Sequence, residues 1–116
     1  MATGDRLTLT QDRSGSTEQL ARFFPEAERV SLPATLTPLR NGSGRVQEAV
    51  LVEFASVEKA IFSSTYPLEF DDRVRLEQVA GNGKSEAKVV AVQYYEGKIA
   101  VAVQFADGQG SWVKRP

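Results

Sequence analysis

Apolar and polar positions follow two different rhythms along the chain. In the first 28 residues the pattern is sparse. Leu7 and Leu9 alternate with polar neighbours, as in a short edge strand or an ordered arm. Ser16-Thr17-Glu18-Gln19 has the form of a helix capping box, and Leu20, Phe23 and Phe24 follow at one-face helical spacing until Pro25. A helix of one or two turns is expected there, its large apolar residues packed on the main body. From Val30 the period becomes two. Strands are expected over Val30–Leu39, around Val46–Phe54, at Ala60-Ile61-Phe62, over Arg73–Val79, over Ala87–Tyr95 and over Ile99–Phe105. Pro33 and Pro38 point to an edge or bulged position for the first of these.

The breaks between the strands are turn chemistry. Residues 40–45 and 80–84 are rich in Gly and Asn, which tolerate the positive φ of a tight reversal. Glu96-Gly97 separates the last two strands by the spacing of a two-residue hairpin. Val74 and Leu76 should face inward, and Ile99, Val101, Val103 and Phe105 should share one face. Short strands at intervals of about ten residues make this an all-β chain, folded as an antiparallel barrel or sandwich. One domain is expected, with an arm and short helix over residues 1–28 and the β-domain over 29–116.

Composition then narrows the chemistry. The 116 residues contain no Cys and no His. That excludes disulfides, thiolate nucleophiles, imidazole bases and the commonest transition-metal ligands, so a non-enzymatic, metal-free protein is expected. Fourteen basic residues face fifteen acidic ones, and neither half of the chain is strongly basic. A duplex nucleic acid partner is therefore not expected. No apolar run is long enough for a membrane span, and the first residues lack the pattern of a secretory signal, so a cytoplasmic setting without membrane insertion is expected.

Other clusters read as ordinary surface. Glu69, Asp71 and Asp72 lack the spacing of a calcium loop. Ser63-Ser64 near Lys59 has no oxyanion glycine beside it, and residues 81–84 are too short for a phosphate loop. Trp112 reads as a barrel plug. Tyr94-Tyr95 could stack on bases in an oligonucleotide-binding small barrel, but lacks a basic groove.

The order of motifs from Glu28 to Trp112 resembles a PilZ domain, the bacterial barrel best known as a cyclic di-GMP receptor. The resemblance is carried by Val30-Ser31-Leu32-Pro33-Ala34, by residues 54–62, by Pro67-Leu68-Glu69, by Asp72-Arg73-Val74-Arg75-Leu76, by Ala87-Lys88-Val89-Val90, and by residues 100–105 before Ser111-Trp112. It implies a six-stranded antiparallel PilZ-like barrel in a bacterial signalling, motility or secretion setting. It also implies where a nucleotide would bind: an Arg-x-x-x-Arg motif before the first strand, and Asp/Asn-x-Ser-x-x-Gly after the second.

In this chain the first motif falls on Pro25 to Arg29 and keeps only Arg29. The second falls on Phe54 to Lys59 and keeps only Ser56, with Phe54 in place of the acid or amide and Lys59 in place of the glycine. Guanidinium forks and a guanine-reading carboxylate carry such recognition, so the usual mode of binding is not expected. Cyclic di-GMP stays possible through a divergent site of Arg22, Arg29, Ser56 and Lys59. The simpler reading has the three cations serving local acids and Ser56 bonding its own turn; Arg40 and Arg45 read the same way. A protein-binding adaptor is the first expectation, with exposed arms and unpaired sheet edges as its contact surfaces and the segment before Val30 foremost among them. A divergent nucleotide receptor and an oligonucleotide-binding small barrel are the alternatives.

Overall fold

β-Branched and aromatic residues in alternation build strands, and here the strands close on themselves. The computed structural model describes residues 17–39, 46–80, 84–95 and 97–106. Among these residues six strands follow one short helix, α1, over residues 17–21. They are β1 (Glu28–Pro38), β2 (Glu48–Ala55), β3 (Lys59–Ser64), β4 (Arg73–Gln78), β5 (Lys84–Tyr95) and β6 (Lys98–Phe105). All pairings are antiparallel, and the order β1-β2-β3-β6-β5-β4 returns to β1 as a closed barrel. Strand spacing left a barrel and a sandwich open, and the barrel is the fold.

Closure decides between the two positions expected for β1. It pairs with β2 along most of its length and with β4 over Ala34–Pro38, so it is not an edge strand, and the bulged alternative holds, with an irregularity between Arg29 and Leu32. Pro33 has no N–H to lose, and its carbonyl accepts the Val79 N–H at 3.0 Å. Pro38 ends the strand beyond the last β2 pair, Leu36–Glu48. Strand limits also move: β5 starts at Lys84, and Val46 lies outside β2, exposed. Gly97 takes φ +84° in the β5–β6 hairpin, the left-handed geometry such a turn requires. Leu7, Leu9, the capping Ser16, residues 40–45, residues 81–83 and Trp112 lie outside the described residues.

The barrel has an inner and an outer apolar layer. Ala34, Leu36, Val50, Val52, Phe62, Val74, Leu76, Val89, Val101 and Val103 fill the interior. β3 and β4 are not neighbours, so the connection between them crosses from one strand to the other, and its Leu68 is fully buried in this inner cluster. Glu48 holds the start of that connection. Its carboxylate accepts hydrogen bonds from the Ser64 hydroxyl at 2.7 Å and from both the N–H and the hydroxyl of Thr65 at 2.9 Å.

The outer layer exists because three strands break alternation. Leu32 pairs with Val52 but Arg29 with Phe54; Val52 pairs with Phe62 but Phe54 with Ile61; Val89 pairs with Val103 but Ala91 with Ala102. Each irregularity adds one residue to a strand and reverses the facing of the residues beyond it. Phe54, which strict alternation would place inside with Val50 and Val52, thus turns outward. Phe54, Ile61, Ala100 and Ala102 form a second cluster, sealed by Leu20, Ala21, Phe24 and Ala27 of the N-terminal segment. Phe23, expected to pack as well, is 75% exposed, because the chain leaves the helical path at Ala21 and only one face meets the barrel.

Candidate functional site

Register places Arg29, Phe54 and Lys59 on this outer face. One row runs across five strands, Arg29–Phe54–Ile61–Ala102–Ala91, each residue paired with the next. Lys59 opens β3 opposite Gln104. The alanines in the row have no bulk to hold a helix away, and α1 lies on them with Leu20 only 4% exposed. Short i-to-i−3 hydrogen bonds from Arg22, Phe23 and Phe24 wind the chain out of α1. Pro25 then prevents further helix.

Four polar contacts tie the segment down, each to a different strand. The Arg29 guanidinium of β1 bonds the Glu18 carboxylate. The Thr17 hydroxyl donates to Glu53 of β2, and the Gln93 amide of β5 donates to Gln19 at 2.9 Å. The Lys59 ammonium of β3 reaches Glu26 at 3.4 Å. Each cation also lies over an aromatic ring: Arg29 is 4.8 Å from the centroid of Phe54, and Lys59 is 5.6 Å from that of Phe24. The Lys59 side chain is only 16% exposed, against 64% for Arg29. The Glu26 carboxyl is held below the usual carboxylate range by its own backbone N–H first, against slight desolvation, and then by the hydrogen bond and charge of Lys59.

Arg29 and Lys59 thus come together at one feature, the N-terminal segment, where each meets an acid. Ser56 does something different. Its oxygen accepts the N–H groups of Glu58 at 3.2 Å and Lys59 at 3.1 Å, while its own N–H donates to the Lys59 carbonyl at 2.8 Å. It is a buried hydroxyl closing the β2–β3 turn. Arg22 is exposed and has no ion pair among the described residues. Phe54 supplies the ring beneath Arg29 and offers it no hydrogen-bond acceptor.

The residues that sequence reasoning missed are the acids that meet these cations, Glu18 and Glu26, and the ring of Phe24. Eleven residues separate Glu18 from Arg29 and 33 separate Glu26 from Lys59, spacings that carry no local signature. Elsewhere, an open groove of about 620 Å³ is lined by Asp71, Arg73, Glu86, Lys88, Gln104 and Phe105 among others. Its charges face one another, Lys88 with Asp71 at 3.5 Å and Arg73 with Glu86 at 3.8 Å, and none of the candidates Arg22, Arg29, Ser56 and Lys59 lines it. Among the described residues no acidic cluster could hold a metal ion, no helix is long and apolar enough to cross a membrane, and no buried polar side-chain atom lacks a partner. No protein-family model matches this chain, and no curated protein matches it either.

Proposed function

We propose that the protein is a non-enzymatic binding module of PilZ type, an adaptor that acts through protein contacts in a bacterial signalling, motility or secretion system in the cytoplasm. The observation that carries this reading is the state of the cations. Arg29 and Lys59, which stand at the family's ligand positions, are both bound by carboxylates of the chain's own N-terminal segment. A cyclic dinucleotide would have to displace Glu18 and Glu26, and would find neither the second motif arginine nor an acceptor at Phe54. Each missing charged contact costs about 1.5–3 kcal/mol, so several together remove micromolar affinity. The hydrophobic and polar content of the face fits a polypeptide better than a nucleotide, since a polypeptide already sits on it.

Calorimetry with cyclic di-GMP on the intact chain tests this proposal. No saturable heat is expected. Saturation at low micromolar ligand, abolished in Arg29→Ala, would replace the adaptor reading with that of a divergent receptor.

A further inference from the structure

The N-terminal segment is a small unit held on a surface larger than itself. The five helical residues of α1 are too few to be stable alone, so their order comes from the barrel. Leu20 is the one large side chain it buries almost fully; Phe24 is half-buried and Phe23 projects into solvent. Three of the four polar ties are exposed side-chain contacts, which hold weakly; the fourth, from the buried Thr17 to Glu53, is part-buried. Such a unit opens far more readily than the closed ladder beneath it. Opening uncovers the apolar strip of Phe54, Ile61, Ala100 and Ala102, with Val90 and Ala91 beside it, and leaves Arg29 and Lys59 without their acids.

We propose that this face is a docking surface for an acidic amphipathic segment of a partner protein, with α1 and the turn after it as the built-in competitor. The proposal rests on the adaptor reading above and names the partner's chemistry. The occupant is specified by the segment already seated. It carries carboxylates at positions 18 and 26 for the two cations, and apolar side chains at 20 and 24 for the strip. Over residues 17–28 three glutamates stand against a single arginine, opposite in sign to Arg29 and Lys59. The alanines of β5 and β6 admit a closely packed backbone, which a bulkier strip would refuse. Because the competitor is tethered, it acts at an effective concentration of about millimolar, and an outside segment binds only in proportion to the open fraction.

The test uses the full chain and a labelled peptide of residues 17–28, read by fluorescence anisotropy. Glu18→Lys with Glu26→Lys turns the tethered competitor against its own cations. That double variant is expected to bind the peptide at least tenfold more tightly than the unaltered chain. Adding Arg29→Glu and Lys59→Glu to it should abolish binding. Leu20→Asp serves as an independent way of releasing α1, and circular dichroism confirms that each variant keeps the barrel. Equal affinity of the unaltered chain and both released variants, or no binding to any, would overturn the proposal. Binding that survives removal of both cations would overturn it too. Cyclic di-GMP titrated into the unaltered chain reports on the adaptor reading separately, so failure of one is not mistaken for failure of the other.

Discussion

Leu68→Ala and Leu20→Ala remove the same atoms from two different apolar layers, and the two should not cost the same. Leu68 is fully buried in the barrel interior, between strands whose backbones are hydrogen-bonded on both sides. Walls of that kind relax little into a void, so the loss lies in the middle of the Leu→Ala range, about 3–4 kcal/mol. For a domain of this size that lowers the melting temperature by about 12–16 °C. Leu20 is nearly as buried, at 4% exposed, but it sits on a short helix that can settle or leave. Its loss is limited by the free energy of opening the segment, so a cost of about 1–2 kcal/mol is expected, without change in the cooperative unfolding of the barrel. Urea unfolding followed by circular dichroism measures both. A cost for Leu20→Ala equal to or above that of Leu68→Ala would refute the separation into a barrel core and a detachable cover. A cost for Leu68→Ala below about 1 kcal/mol would refute its place in the core.

Three further outcomes rest on local geometry. Ser56→Ala leaves the Glu58 and Lys59 N–H groups without their acceptor and should cost about 1–2 kcal/mol in urea unfolding. Gly97→Ala meets no atom within 4 Å, so its cost is backbone strain at φ +84° alone, about 1 kcal/mol in the same assay. The Glu48 carboxyl is opposed by burial, yet the Thr65 N–H, the hydroxyls of Ser64 and Thr65 and the Tyr66 N–H together hold it below the ordinary value of 4.5. A depressed folded value means stability that is present above pH 4.5 and lost as pH falls through the folded value. Urea midpoints measured from pH 6 down to pH 3 should therefore decline less steeply in Glu48→Gln than in the unaltered chain.

The strands were legible because their alternation is local. Val74 and Leu76, and the set Ile99, Val101, Val103 and Phe105, face inward as their period of two requires. The hairpin at Gly97 was equally plain, since only a few residue types accept its φ. What alternation could not show was the point where a bulge interrupts it. Phe54 has the same spacing from Val52 as Val52 has from Val50, and only the extra residue in β2 turns it to the outer face. Closure was hidden for a related reason: Pro33 fits an edge or a bulge equally well, until the bulge is seen just before it and the Val79 N–H is seen to bond its carbonyl. Arg29, Ser56 and Lys59 could be singled out as candidates in the sequence. Their partners could not, because Glu18 and Glu26 reach them only after α1 folds back across five strands.

The cover over the Arg29–Phe54–Ile61–Ala102 row is the centre of this account, and methyl nuclear Overhauser effects test it most directly. In the intact chain, cross-peaks from the Leu20 methyls to Ile61 and Ala102 are expected, and they should persist unchanged through a titration with cyclic di-GMP. Loss of those cross-peaks during the titration, with shifts centred on Arg29, Ser56 and Lys59, would contradict it.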